Sequence, residues 1–558
     1  MGTAITGGEL VVRTLEKAGV RHMFGLHGAH LETIFQACLD HDIPVLDTRH
    51  EVAAGHAAEG YSRATRKLGV AMVTAGPGFT NVITSMANAY LDRTPVLYIS
   101  GSAALRDAET NTLQAGIDQV AIGRPVTKWA HQVTTVQQIP RLVAHAIRIA
   151  TSGPTGPVLL DMPSDVLGAT VDAGSVQIPE SIQVEAPPAP APEAVARALH
   201  LLREAQRPVI MAGVGAWQAG CAAELRAFAE ESGIPVFSDF QAHGLLPSEH
   251  PLYGGTFHKM ADLTGDERPD VVLALGVRFG LFTLGASDRL VPTAAKVIHV
   301  EIDPKEIGRL RTVALGVVAD SRETLRALSA RSESKRWPDH SGWSARIRNL
   351  KAARLEAQTR AAERPTPPIH PFQAVAAVVD GIDSETIVVA DGAETYHWLN
   401  EVIRQSDAGS YITHGFLGAV GFGMGLALGA QTAHPKRKVL CLVGDGAFGF
   451  TMAELDTMAR HRLPIVVVIM NNRSWAASQH FQEIVSGAAR VTGTRLSDAR
   501  YHDVAKALGC HSQHVTKIEE LRPAIAAAFA SGKPACLNVE IDLAPIPPEL
   551  GLLMSRHS

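Results

Sequence analysis

The chain has 558 residues, 46% of them hydrophobic and 19% charged, with a formal net charge of −5. That length exceeds a single hydrophobic core and predicts about three domains. The mildly acidic balance, without a basic run, excludes nucleic acid as an expected partner, and no apolar stretch reaches the roughly 18 uncharged residues of a membrane span.

The N-terminus, MGTAITGGELVVRTLEKAGV, lacks the basic start and apolar stretch of a signal peptide and reads as a helix. From Gly8 to about Leu167 helices and strands alternate. HMFGL is a short strand ending at Gly28-Ala29-His30, IPVLDTR a strand stopping at His50-Glu51, and VAAGHAAEGYSRAT a small-residue helix suited to tight packing. GVAMVTAGPG, PVLYISGS and PVLLDMP are further buried strands. Apolar strands between helices predict a parallel sheet covered on both faces.

Residues 179–193, PESIQVEAPPAPAPE, form an extended Pro/Ala-rich linker. A second α/β unit follows to about Arg331, with strands PVIMAG, PVFSD, VVLALG and KVIHVEID. Its Gly213-Val214-Gly215 follows a strand, but Gln218 stands where a dinucleotide fingerprint needs a glycine, so a structural turn is expected. Residues 331–369 are charged, helical and then Pro-rich, a second linker. The third unit runs from about Pro371 to Asp542 and shares the rhythm of the first without a sequence repeat. The five cysteines, Cys38, Cys221, Cys441, Cys510 and Cys536, have no CxxC or metal-ligand spacing, and buried reduced thiols in a cytoplasmic protein are expected.

The most informative stretch is VLCLVGDGAFGFTMAELDTMARHRLPIVVVIMNN. One apolar strand ends at Gly444-Asp445-Gly446 and the next at Asn471-Asn472, an interval close to that of a βαβ unit. The C-terminal ends of neighbouring parallel strands are where ligands bind. A carboxylate and an amide oxygen then converge, a hard-oxygen pair suited to Mg²⁺, and the glycines let backbone N–H groups approach a diphosphate. Two ordinary turns would be the plainer alternative. Glu51, in Arg49-His50-Glu51 before small apolar residues, is a second candidate. Burial would raise its pKa and suit it to proton exchange; the plainer alternative is a helix N-terminal carboxylate favoured by the dipole.

The GDG and NN at this spacing resemble the signature of thiamine diphosphate enzymes. ITGGELVVRTL, FGLHGAH, TRHE with AAGHAAEGY, ETNTLQAGIDQVA, TKWAH and RVTGTRL further resemble the benzaldehyde lyase family. The resemblance implies three doubly wound α/β domains with mostly parallel sheets, at 1–180 (pyrimidine-binding), 194–331 (middle) and 365–545 (diphosphate-binding). It implies thiamine diphosphate and Mg²⁺ as cofactors, with Glu51 as the pyrimidine activator and Asp445, Asn472 and Ser474 as metal ligands. Thr74, Tyr396, Gly418, Val420, Gly444, Gly446, Ala447 and Asn472 would contact the cofactor. Val420 stands where the family has a methionine in the wedge that bends it. Ala29, His30 and Gln114 would surround the reactive carbon, with His30 transferring protons and Gln114 holding a substrate oxygen. Taken alone, His30 reads more often as a helix-start residue. Ser164, His397, His414 and Ala477 would line the substrate pocket, and Ser164 (for tryptophan), His397 (for leucine), Phe416 (for tyrosine) and Ala476 (for glycine) depart from the family.

The implied activity is cleavage of acyloins such as benzoin to aldehydes, and the reverse ligation. Ala29 cannot orient a carboxylate and is read as favouring this over decarboxylation. A 2-hydroxyacyl-CoA lyase, a 2-oxoacid decarboxylase and a non-catalytic binding protein are the alternatives. A homo-oligomer, dimer or tetramer with its site at the subunit interface, is expected, without nucleic acid or membrane as partner.

Overall fold

The computed structural model describes residues 4–285, 287–332, 336–363, 367–413 and 415–554. They form three α/β units, each on a six-stranded parallel sheet. Strands such as Val158–Pro163 are buried on both faces because helices cover both sides. A short antiparallel pair, Ala4–Thr6 with Thr170–Asp172, ties the N-terminus to the end of the first unit. All five cysteines are buried and unpaired with one another.

In chain order the first unit's strands are Met23–Gly25, Val45–Asp47, Gly69–Val73, Val96–Ser102, Trp129–Gln132 and Val158–Pro163. They lie side by side in the order 2-1-3-4-6-5. The third unit has Ile387–Asp391, Tyr411–Thr413, Val439–Gly444, Val466–Asn471, His511–Val515 and Ala535–Glu540 in the same order. The common rhythm of the two units is therefore a common topology. Trp129–Gln132 and His511–Val515 are edge strands whose half-exposed polar text carries little strand signal.

The first and third units meet through helices Glu51–Thr65 and Gly423–Ala433. A Cβ on Gly429 would lie 1.9 Å from Ala57 O, and one on Gly60 2.2 Å from Leu426 O. The small-residue text of both helices exists to allow this approach.

The middle unit has strands Pro208–Ala212, Val236–Ser238, Tyr253–Thr256, Val271–Leu275, Lys296–Glu301 and Leu315–Val318 in the order 3-2-1-4-5-6. That order opens a crevice between the first and fourth strands, where a dinucleotide would sit. Here Gly215 N donates to Gly276 O at 3.0 Å and closes the turns against each other. Gln218 reaches Arg93 O at 2.6 Å, and Arg93 of the first unit pairs with Glu301 (3.0 Å), Asp303 (2.9 Å) and Glu306 (3.3 Å). The Gly213-Val214-Gly215 turn is thus packing, and the middle unit grips its neighbour through Arg93. The second linker contains helix Ser341–Ala362. No helix among the described residues is long and apolar enough to cross a membrane.

Candidate active site

A cavity of about 300 Å³ opens at the C-terminal ends of the third unit's central strands. Gly444 pairs with Met470 across the two strands, so the Gly-Asp-Gly turn and Asn472 emerge side by side. Gly444, Asp445, Gly446, Ala447, Asn472 and Ser474 all line the cavity. Asp445 is 2% exposed, and its Oδ2 has no hydrogen-bond partner. Burial pushes its carboxyl up to about 6, against the pull of backbone N–H groups at Gly446, Arg473 and Asn472. An orphaned buried carboxylate oxygen facing a cavity is what an absent cation would satisfy. The Ser474 hydroxyl is engaged by Gln479 (2.8 Å) and Thr494 O (3.1 Å), which leaves its carbonyl as the group to offer a metal. One carboxylate, one amide and one carbonyl suit Mg²⁺ completed by phosphate oxygens; among the described residues no group of three or more His, Cys, Asp or Glu is arranged to hold a metal ion.

Gly446 has no room for a side chain, since a Cβ would lie 2.6 Å from Trp475 Cζ3. Gly418, at φ +67°, and Val420 form another wall. Helix Ala393–Val402 begins at the cavity and places Ala393, Glu394, Thr395 and Trp398 along it. Residues 394, 395 and 398 share a helix face, so Tyr396 and His397 point away. This corrects the expected roles of both. Tyr396 Oη is 2.6 Å from His397 Nε2, and the two rings lie beneath the site among middle-unit and C-terminal residues, where Glu549 meets His397 Nδ1 at 3.1 Å. Ala477 lines the cavity, while His414 lies outside the described residues.

The first unit assembles a second cluster at the C-terminal end of its own sheet. Asn81 Nδ2 donates to Glu51 Oε2 at 3.0 Å. His30 Nδ1 is 3.0 Å from Thr74 Oγ1, and burial lowers the imidazole pKa, which favours the neutral ring. Gly28 packs on Thr74, where a Cβ would be 2.3 Å from the threonine Cβ. Gln114, at φ +61°, lies against Gly76, with 3.2 Å between its Cβ and the position of a Gly76 Cβ. Ala29 is exposed at the start of the short turn that carries His30. Ser164 begins a helical turn after strand Val158–Pro163, whose Pro163 pairs with Ser102. None of these residues lines the 300 Å³ cavity; within one chain the two clusters are separate.

Several contributors escaped the sequence reading. Asp391 is fully buried and accepts N–H groups from Gly421 (3.0 Å) and Gly423 (2.8 Å), fixing the loop that carries Gly418 and Val420. Its Asp-Gly at a strand end repeats the pattern of Asp445-Gly446 and was there to be read. Glu394 pairs with His480 Nδ1 at 2.6 Å, and neither has a sequence signal.

Comparison with known proteins decides the family. Residues 5–122, 195–328 and 391–539 match, in turn, the N-terminal TPP binding domain, the central domain and the C-terminal TPP binding domain of thiamine pyrophosphate enzymes. The chain belongs to the thiamine pyrophosphate enzymes. Its cofactor is accordingly thiamine diphosphate with a divalent metal ion such as Mg²⁺, a pair the cavity fits. An acetolactate synthase large subunit of Mycobacterium tuberculosis is 35% identical over 537 residues, covering 96% of this chain and 95% of that one. A probable acetolactate synthase large subunit of Methanocaldococcus jannaschii is 32% identical over 96% of this chain and 92% of its own. The acetolactate synthase isozyme 2 large subunit of Escherichia coli is 31% identical over 96% of each. These relatives overturn the acyloin-cleaving activity expected from the benzaldehyde lyase resemblance. That expectation rested on short matching stretches, whereas these matches run nearly end to end.

Proposed function

We propose that the protein is a carboligase of the acetolactate synthase kind, which joins the acyl part of one 2-oxo acid to a second 2-oxo acid with loss of CO₂. Acetolactate is a five-carbon 2-hydroxy-3-oxo acid; disconnecting its central C–C bond leaves a two-carbon acyl group and pyruvate. The observation that carries the reading is the 35% identity across almost the full length of an acetolactate synthase. The presence of both residue clusters supports it.

Bound thiamine diphosphate supplies a nucleophilic carbon and an electron sink. The chain's residues do the rest. Asp445, Asn472 and Ser474 would hold the metal, and Gly446 would let the backbone approach the diphosphate. Glu51, oriented by Asn81, is the carboxylate that would exchange a proton with the pyrimidine of the bound cofactor. Neutral His30 accepts and returns a proton at the substrate oxygen, and Gln114 donates a hydrogen bond there. Ala29 fits this chemistry. A carboxylate that leaves as neutral CO₂ needs no acid beside it, and apolar surroundings disfavour the charged form. Ala29 therefore does not count against decarboxylation.

Self-association is part of the proposal. The two clusters do not share a cavity within one chain, and apolar side chains flank both. Phe450 (65% exposed) and Met452 follow the Gly-Asp-Gly turn, and Leu113 (83% exposed) precedes Gln114. A second copy would cover these and bring Glu51 to the cofactor held by its partner.

The test is incubation with pyruvate, thiamine diphosphate and Mg²⁺, measuring CO₂ and acetolactate. Equimolar release of both is expected. Cofactor binding by calorimetry without consumption of pyruvate or another 2-oxo acid would sink the proposal.

A further inference from the structure

Gln119 is 4% exposed and opens helix Gln119–Gly123, five residues after Gln114. Its side chain reaches across the C-terminal ends of three strands. Oε1 accepts the Gly76 N–H at 2.9 Å. Nε2 has two hydrogens to share among Asp161 Oδ1 (2.8 Å), Gly101 O (3.0 Å) and Ser100 Oγ (3.1 Å), so one of them bridges two acceptors. Asp161 is itself buried, and its other oxygen accepts from Gln132 Nε2 at 2.7 Å, so the amide cannot flip without setting oxygen against carboxylate.

The two backbone groups that Gln119 grips are the supports of two candidate active-site residues. Gly76 lies against Gln114, and its φ of +64° is one that only glycine adopts freely. Gly101 lies under His30, where a Cβ would be 2.6 Å from His30 Cβ. One buried amide thus joins the floor beneath the imidazole to the floor beneath the carboxamide. We propose that Gln119, held in one orientation by Asp161, is a positioning residue that sets the spacing between His30 and Gln114. It touches neither substrate nor cofactor. This rests on the assignment of His30 and Gln114 to the reaction.

The test uses the full-length holoenzyme and four variants: Gln119→Leu, Gln119→Glu, Asp161→Asn, and Gln119→Glu combined with Asp161→Asn. Gln119→Leu should lower kcat by about 10- to 100-fold, the scale of a 1 Å misplacement, while thiamine diphosphate affinity by calorimetry stays within about twofold. Gln119→Glu sets two carboxylates together and should also lose kcat. The double variant restores the contact between 119 and 161 and an acceptor for Gly76 but leaves Gly101 O without its donor, so it should recover only part of the kcat lost in Gln119→Glu. His30→Ala and Gln114→Ala are the controls. If both controls lose turnover but Gln119→Leu keeps wild-type kcat, or if cofactor affinity falls as far as kcat, the positioning role is wrong. Full wild-type kcat in the double variant, which lacks the Gly101 donor, also overturns it. Wild-type turnover in both controls overturns the site assignment and this inference together.

Discussion

Asp92 Oδ1 accepts the backbone N–H of Phe416 at 3.1 Å, across 324 residues of sequence. The same carboxylate takes Gln241 Nε2 from the middle unit at 3.2 Å, so all three units meet on one buried side chain. Gly415 has no side chain because a Cβ would fall 1.7 Å from Asp92 Oδ1. Two residues beyond Phe416 the chain reaches Gly418 and the cofactor cavity. Asp92→Ala should leave the Phe416 N–H unpaired at a cost of about 1–3 kcal/mol and weaken thiamine diphosphate binding. Asp92→Asn keeps an acceptor and should bind nearly as wild type. Calorimetry on both variants decides; equal affinities in Asp92→Ala and wild type would disprove the coupling.

Gly446→Ala should disturb the diphosphate site directly. The added methyl meets the Trp475 ring at 2.6 Å, an overpacking worth about 1–3 kcal/mol. The ring has to move, and cofactor affinity should drop roughly tenfold or more. Tryptophan fluorescence during cofactor titration reports both effects, since Trp475 and Trp398 line the cavity.

The sequence makes the metal end of the site legible because two buried strands stop at polar residues, and a parallel sheet brings such ends together. That Asp445, Gly446 and Asn472 line one cavity follows from this alone. The orientation of helix Ala393–Val402 was not legible, because its residues are buried on every side. No polar–apolar stripe marks which face meets the ligand, and Tyr396 and His397 were misplaced for that reason. The matching strand order of the first and third units was equally hidden, since topology depends on where apolar segments sit and not on which apolar residues they use. Gln119 reads as an ordinary helix-start residue; its role comes entirely from strands 18 to 42 residues away in sequence. The short motifs reach the family but not the reaction, and whole-chain relatives named acetolactate synthase overturn the acyloin-cleaving expectation drawn from them.

The C-terminal helix Pro548–Met554 should be acid-sensitive. Glu549 is buried and accepts from Thr256 Oγ1 (2.8 Å), Asn400 Nδ2 (3.3 Å) and His397 Nδ1 (3.1 Å). Burial alone would raise its carboxyl, but His258 and His397 beside it hold it well below the usual range. The native state therefore binds fewer protons here than the unfolded chain. Its stabilisation is complete above the unfolded pKa of about 4.3 and is lost as pH falls below that value. Glu549→Gln should unfold at lower temperature at pH 7 and lose the steep acid dependence between about pH 4.3 and 3. Thermal midpoints across pH 3–7 for both proteins would show it; parallel curves would refute it.

Mixing two inactive variants should restore activity. Glu51→Gln removes the proposed acid of the first-unit cluster and Asp445→Ala the proposed metal ligand of the third-unit cluster. If each site takes one cluster from each chain, a heterodimer holds one intact site. Random exchange of subunits should then recover about a quarter of wild-type turnover. No recovery, with subunit exchange verified by mass, would place both clusters of a site in the same chain.

The contact between helices Glu51–Thr65 and Gly423–Ala433 is set by missing atoms. With Gly429 1.9 Å from Ala57 O at the position of a Cβ, and Gly60 likewise at 2.2 Å from Leu426 O, each helix rests on bare backbone. Side-chain packing can be retuned by trading one methylene for another, but a backbone stop has no smaller setting. A single methyl at either glycine would lever two whole sheets apart, and with them Glu51, which opens the first of these helices. The separation of the two units is a hard limit, and substitution at those positions can only break it.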